Sequence, residues 1–398
     1  MISFQAFAAF AMWPLYACAN RIRAWGSLPV PRGPTLCLVN HQHDLDDQVT
    51  VAYLERAGPW NKTIYVVTSR RLFERGALAW PFPLLEPLLR TADSSRLFSL
   101  VGMVPIENDI RKRPLTSLAR AVIDRHGDLP LTQVFKEPVR AALGIDPRDK
   151  RLHDILSSTL FRRARGTDVP IKWLYEPYLG ELFADMHESV EGDMRALEER
   201  LKRGATIWLA PEGRHSKTGR MGEMRTALRR LAPLAEQIFT IAISYDVFVG
   251  HRLSMILRVL PALDRDDLPN SMKAPRPVTV SQLLADWLCA DGLAQQRGGD
   301  SAAFSEGDAI DAVRERVAAL PQLAWVEPDL RASPERMTKA ALRGLVRRGI
   351  ARSSGAGYAL TDKRDDRRFP KTRDVISHQA AFFDESAAAW RALAAREG

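Results

Sequence analysis

Cysteine is scarce in this chain. Cys18, Cys37 and Cys289 are spread over 398 residues, each within an apolar run. That spacing excludes a disulfide framework and a clustered thiolate metal site, and reads as buried thiols in a reducing compartment. No repeat of fixed period is evident. Residues 1–20 contain no charged side chain, yet alanine is abundant there and Pro14 interrupts the run. The stretch barely reaches the ~20 strongly apolar residues of a membrane span. It also lacks the basic n-region of a secretory signal. With Arg21 and Arg23 behind it, the segment 1–25 is expected to be a helix lying in a membrane interface, Trp13 and the arginines near headgroup level. A buried core helix is the alternative.

What is present is an ordinary globular composition, 46% hydrophobic and 26% charged, in a chain long enough for two or three domains. The net charge is +9. Basic clusters occur at Arg111-Lys112-Arg113, Arg162-Arg163, Arg229-Arg230 and Arg347-Arg348. Such a surface attracts phosphate-rich partners: anionic lipid, acyl-CoA or nucleic acid.

The run Thr35-Leu36-Cys37-Leu38-Val39 follows the turn residues Pro31-Arg32-Gly33-Pro34 and reads as a buried strand. Asn40-His41-Gln42-His43-Asp44-Leu45-Asp46 comes directly after it. His41 therefore emerges at a strand's carboxyl end, where open α/β sheets bind ligands. Asp46 opens the next helix, expected over residues 47–54. A carboxylate there can accept from His41 Nδ1–H and leave Nε2 free to take a proton from a hydroxyl. A second apolar strand, Thr206-Ile207-Trp208-Leu209-Ala210, leads into Pro211-Glu212-Gly213-Arg214-His215-Ser216-Lys217 and then Thr218-Gly219-Arg220-Met221.

Together these segments resemble the glycerolipid acyltransferase family, which includes the 1-acylglycerol-3-phosphate acyltransferases. That family opens on Asn-His-Gln, with a histidine, four residues and an aspartate; His41 and Asp46 match. Its third motif is Pro-Glu-Gly-Thr-Arg-Ser; Pro211, Glu212, Gly213 and Ser216 match, while Arg214 and His215 hold the Thr and Arg positions. Its second motif resembles Gly102-Met103-Val104-Pro105-Ile106-Glu107-Asn108, with Asn108 in place of arginine. Phe239-Thr240-Ile241-Ala242-Ile243-Ser244-Tyr245 fits the strand that follows. The likeness covers residues 30–260, and the order of the motifs carries more weight than any one of them.

The resemblance implies acyl transfer from acyl-CoA or acyl carrier protein to a lysophospholipid or glycerol-phosphate hydroxyl, with no cofactor and no metal. His41 would be the general base and Asp46 its orienting acid, the acceptor attacking without a Ser or Cys nucleophile. Glu107, Asn108, Arg111, Glu212, Gly213, Arg214, His215, Ser216 and Lys217 would bind substrate. Arginine's fork suits phosphate and histidine does not, so Arg214, Lys217 or Arg111 would stand in for the replaced arginines. The enzyme would work peripherally at the cytoplasmic face of an anionic membrane.

The expected architecture is α/β: a mixed sheet flanked by helices over residues 26–263, a helical insertion at 114–201 and a mainly helical C-terminal region at 264–398. Strands are also expected at 62–67 and 239–245. The Pro- and Leu-rich stretch 81–89 reads as core packing, with guidance of an acyl chain as the other reading. Helix 338–349 followed by a hairpin at 350–361 looks like a winged helix carrying Arg343, Arg347, Arg348 and Arg352. A solvated basic face explains those arginines better than a nucleic-acid site. The enzymatic rival is a metal-dependent hydrolase built on His41 and His43, but Leu45 and Asp46 put its ligand register out of place.

Overall fold

The computed structural model describes residues 4–26, 32–57, 63–77, 85–107, 111–144, 150–157, 160–213, 215–294, 303–355 and 357–397. The chain forms two compact units, Met1–Val66 with Leu201–Gly398, and Val67–Arg200. The strands are β1 (Asn20–Trp25), β2 (Thr35–Val39), β3 (Ile64–Ser69), β4 (Met103–Ile106), β5 (Lys112–Pro114), β6 (Asp168–Pro170), β7 (Thr206–Leu209), β8 (Gln237–Asp246), β9 (Leu253–Pro261), β10 (Ala351–Ser354) and β11 (Gly357–Leu360). Seven of them make one sheet in the order β1-β9-β8-β2-β7-β3-β4.

The sheet is mixed and flanked by helices, as expected. β2 runs parallel to both β7 and β8, β3 parallel to β7, and β1 parallel to β9. β8 and β9 are antiparallel. Every residue of β2 and β7 is buried, and β8 is buried from its second residue onward. Their sequences are continuous apolar runs because both faces of the sheet are covered. The parallel arrangement puts the carboxyl ends of β2, β7 and β8 on one edge, the usual place for a site in an open sheet.

Helix α1 spans Phe4–Ala19 and α2 spans Asp46–Ala57. Asp46 and Asp47 open α2, where carboxylates complement the helix dipole. Trp208 of β7 donates its indole N–H to Thr50 of α2 at 3.1 Å, which fastens the helix to the sheet. Gln5 of α1 bonds the Ile64 backbone through both its amide oxygen (2.9 Å) and its nitrogen (2.7 Å). Helix α1 also exposes Phe7, Met12 and Leu15. The Arg56 guanidinium lies over the rings of Phe10 and Trp13 at 4.9 and 5.2 Å. No described helix is long and apolar enough to cross a membrane.

The N-terminal helix is shorter than the expected 1–25. Residues 20–25 are the edge strand β1, and Arg23 is not at a headgroup level: it pairs with buried Glu327 and with Asp329 at 2.8 Å. Cys37 is buried as read, whereas Cys18 is exposed because it falls on the open side of α1.

The C-terminal region belongs to the same unit as β1, β2, β7, β8 and β9. Ser281, in helix Val280–Ala290, donates to Asp246 at the end of β8 and accepts from Phe248 N–H at 2.8 Å. Helix Val375–Glu397 packs on helix Val280–Ala290, and its Trp390 donates to the Ala274 carbonyl at 2.7 Å. A helix, Pro334–Arg347, then the antiparallel pair β10–β11 stand where helix and hairpin were expected.

The unit Val67–Arg200 has its own core, built on Leu118, Val122, Val134, Phe135, Ile155 and Leu174. Helix Leu115–His126 and most of helix Tyr178–Lys202 lie here, with the short pair β5–β6. Of the stretch 81–89, residues 81–84 lie outside the described residues. Leu85 and Leu88 are exposed rather than packed in a core.

Candidate active site

The strand exit is fixed first. Asn40, fully buried, donates to the Ile243 carbonyl at 3.0 Å and accepts from Ile243 N–H at 2.7 Å. This side chain ties the end of β2 to β8, so the next residue must turn out of the sheet. That residue is His41.

His41 Nδ1 lies 3.2 Å from Asp46 Oδ2. The same oxygen accepts from the backbone N–H of Gln42 at 2.5 Å and of His43 at 2.7 Å. The other Asp46 oxygen accepts from the Tyr245 hydroxyl. Asp46 is wholly buried, and its carboxylate accepts from Gln42, His43 and Tyr245. It therefore acts as acceptor to Nδ1–H, which leaves His41 Nε2 with a free lone pair. Burial opposes a charged His41, but the Asp46 hydrogen bond and the charges of Asp46, Asp47 and Glu212 outweigh it and hold the imidazole above its ordinary pKa. Tyr245 is fully buried and its hydroxyl is pushed far up by burial and by Asp46, so it stays a donor.

The loop after β7 meets the loop after β2. Glu212 Oε1 accepts from His41 N–H at 3.2 Å, and Oε2 accepts from Gly222 N–H at 2.9 Å. Ser216 N–H donates to the His41 carbonyl at 3.0 Å, and its hydroxyl donates to the Arg220 carbonyl at 2.7 Å. Glu212 is thus a brace between two loops, both oxygens used on backbone. Burial raises its carboxyl above the ordinary value; the Gly222 N–H, Arg276 and His41 offset part of this. Gly213 has φ +64°, a turn geometry that favours glycine.

His215 stacks on His41, ring centroids 3.7 Å apart and tilted 35°. Its Nδ1 accepts from the Lys371 ammonium at 2.6 Å. Its Nε2 lies 3.3 Å from Asp44 Oδ1 but has no hydrogen-bond alignment to it or to any other described group. Burial, with His41 and Lys371 alongside, pushes His215 down to about 4, so it is neutral near pH 7 and carries its hydrogen on Nε2. Lys371 also binds Asp44. The neutral His215 ring therefore lies against the His41 ring, with the Lys371 ammonium on its Nδ1.

His43 is used by the fold. Its Nε2 bonds the Arg368 carbonyl at 2.9 Å and its Nδ1 accepts from Leu45 N–H at 3.2 Å. Both ring nitrogens are taken. Among the described residues no group of three or more His, Cys, Asp or Glu is arranged to hold a metal ion. This donor set does not fit the hydrolase alternative.

The structure thus brings His41, Asp46, Glu212, Gly213, His215 and Ser216 together. Lys217 is exposed. Glu107 and Arg111 belong to the unit Val67–Arg200, where Glu107 pairs with Arg113, and the Arg111 carbonyl accepts from Ile171 N–H at 3.0 Å. Asn108 and Arg214 lie outside the described residues. Tyr245 and Lys371 were missed as site residues. Tyr245 was legible as strand but not as a donor. Lys371 comes from a polar C-terminal segment with no pattern pointing at the site. No family model matches the chain, and no curated protein matches it.

Proposed function

We propose that this protein is an O-acyltransferase, moving a fatty acyl group from acyl-CoA or an acyl carrier protein to a hydroxyl of a lysophospholipid or glycerol phosphate. The observation that carries this reading is the His41–Asp46 pair, its Nε2 free, with the neutral ring of His215 stacked on it. The acceptor hydroxyl gives its proton to His41 Nε2 as its oxygen bonds to the thioester carbonyl carbon. Asp46 stabilises the imidazolium so formed. The carbonyl oxygen becomes an oxyanion, and the unpartnered Nε2–H of His215 is the donor assigned to it; a neutral imidazole can serve in this way. The C–S bond then breaks, and the leaving thiolate takes the proton back from His41.

Lys371 takes up the role of the arginine that the third motif lacks. Its ammonium is a point charge on a flexible stem, suited to a phosphate but without the arginine fork. Lys217 is an acceptor contact on the strength of the motif resemblance alone, and Glu107 and Arg111 are assigned to substrate binding only by their place at the second motif. The exposed Phe7, Met12 and Leu15 of α1 support peripheral attachment to an anionic bilayer surface. The stretch from Phe304 to Leu360 is read as winged-helix-like: Phe304 bridges Tyr358 of β11, and helices Glu306–Ala318 and Pro334–Arg347 pack together. It contributes packing to the sheet unit, with no call for nucleic acid.

The test is an acceptor screen. Purified full-length protein is incubated with labelled acyl-CoA and a panel of lysophospholipids, and acylated lipid is read by mass spectrometry. Product from at least one acceptor is expected. No product from any acceptor, with either CoA or carrier-protein donor, would remove the assignment.

A further inference from the structure

The turn joining β8 to β9, the end of helix Pro334–Arg347 and the segment leaving β11 line an open cavity of about 230 Å³. Five cationic side chains line it: Arg347, Arg348, Lys363, Arg367 and Arg368. Two carboxylates, Asp365 and Asp366, face them. The surplus is three positive charges. The carboxyl end of the helix adds only about half a negative charge, too little to cancel it.

Two of the guanidinium groups are fixed in place. Arg348 donates to the carbonyls of Phe248 (2.9 Å) and Gly250, and Arg368 to those of His251 (3.3 Å) and Val247. Asp366 lies between them, 3.1 Å from Arg348 Nε and 2.6 Å from Arg368 Nη2. That carboxylate is committed. Arg347 and Arg367 are exposed, with no ion pair among the described residues. Arg348 is pushed down to about 10 by burial and by the charges of Arg368 and Arg347, against the pull of Asp366 and Asp246. The wall is crowded with like charge, and an anion would relieve it.

Size decides what kind of anion fits. Pockets for whole small-molecule ligands run from roughly 300 to 1,000 Å³ and are mostly apolar. This one is smaller and lined mostly by charged residues, so it suits one charged end of a ligand. Planar guanidinium forks match tetrahedral phosphate oxygens well.

We propose that this cavity is a binding site for a phosphate or diphosphate group, separate from the His41 site and linked to it by the segment from Arg368 to Lys371. The Arg368 carbonyl accepts from His43 Nε2 at 2.9 Å. The Phe369 ring lies 5.5 Å from His43 and 5.4 Å from Tyr245. Lys371 then reaches Asp44 and His215. An anion held by Arg367 and Arg368 would steady the segment that carries Lys371 into the site.

The test does not depend on acyl transfer. Inorganic pyrophosphate is titrated into full-length protein by calorimetry at low salt. The double variant R347Q/R367Q changes only exposed side chains and is compared with wild type. Wild type is expected to bind, and the variant to bind about tenfold more weakly or worse. Absent binding by wild type, or equal affinity in the variant, would overturn the proposal. A second arm uses phosphatidylcholine vesicles containing phosphatidic acid. Vesicle binding that falls with pyrophosphate binding assigns the phosphate to a lipid headgroup; vesicle binding that is unchanged assigns it to a soluble molecule.

Discussion

Asp46→Asn tests the base most sharply. Asn has nearly the same shape, and its amide oxygen can still accept from Gln42 and His43 N–H and from His41 Nδ1–H. What disappears is the charge. At the observed 3.2 Å, an effective dielectric of ~20 gives an attraction between Asp46 and a protonated His41 of about 5 kcal/mol. That is an upper bound on the loss of transition-state stabilisation, about four orders of magnitude in rate. The variant should therefore turn over 10²–10⁴-fold more slowly, as an estimate, with far-UV circular dichroism unchanged. The pH profile carries a second, independent sign. The Asp46 bond and charge are the largest influences holding His41 up, while burial pulls it down. In wild type the acid limb of kcat/KM should lie above the ordinary histidine value of about 6.5, and in the variant it should move downward. An unchanged turnover, or an acid limb that stays in place, would refute the role given to Asp46.

Two further predictions concern stability. Burial pushes the Glu55 carboxyl up to about 7 from 4.5, and the nearby Ile64 N–H, which also serves Gln5, offsets little of this. The folded state keeps a proton that the unfolded state has lost, so the Glu55 contribution to stability is greatest at low pH and falls as pH rises from about 4.5 to about 7, by about 3 kcal/mol. Glu55→Gln should raise the melting temperature at about pH 8 and leave it unchanged near pH 4; an equal shift at both would contradict this. Gly344 sits where an added Cβ would fall 1.7 Å from the Phe248 carbonyl oxygen. Gly344→Ala should cost about 1–3 kcal/mol in urea denaturation despite ~1 kcal/mol gained in helix propensity, and a more stable variant would contradict the close packing.

The sheet was readable because its strands are continuous apolar runs bounded by turn residues, as at β2, β7 and β8. The His41–Asp46 relation was readable because it is local, set by one strand exit and one helix start. Two things were not. In β8 every residue from Ile238 onward is buried, so no alternation singles out the Tyr245 hydroxyl. The contact of His43 with Arg368 spans 325 residues, and the segment around Lys371 is polar and irregular. Nothing local directs such a segment toward the end of β2; the packing of helix Val375–Glu397 on helix Val280–Ala290 does. His215 was read as a weaker substitute for arginine. Its neutrality follows from burial against His41 and Lys371, which spacing alone does not reveal. The N-terminal helix was read too long because residues 20–25 lack a strong pattern of their own and become strand by pairing with β9.

The central claim is that His41 takes the proton from an acceptor hydroxyl during acyl transfer. The direct measurement is acylated lysophospholipid formed per minute by purified wild type and His41→Ala, from labelled acyl-CoA, with both proteins shown to be equally folded. Wild type should form product and the variant essentially none. A variant that keeps most of the wild-type rate would contradict the account.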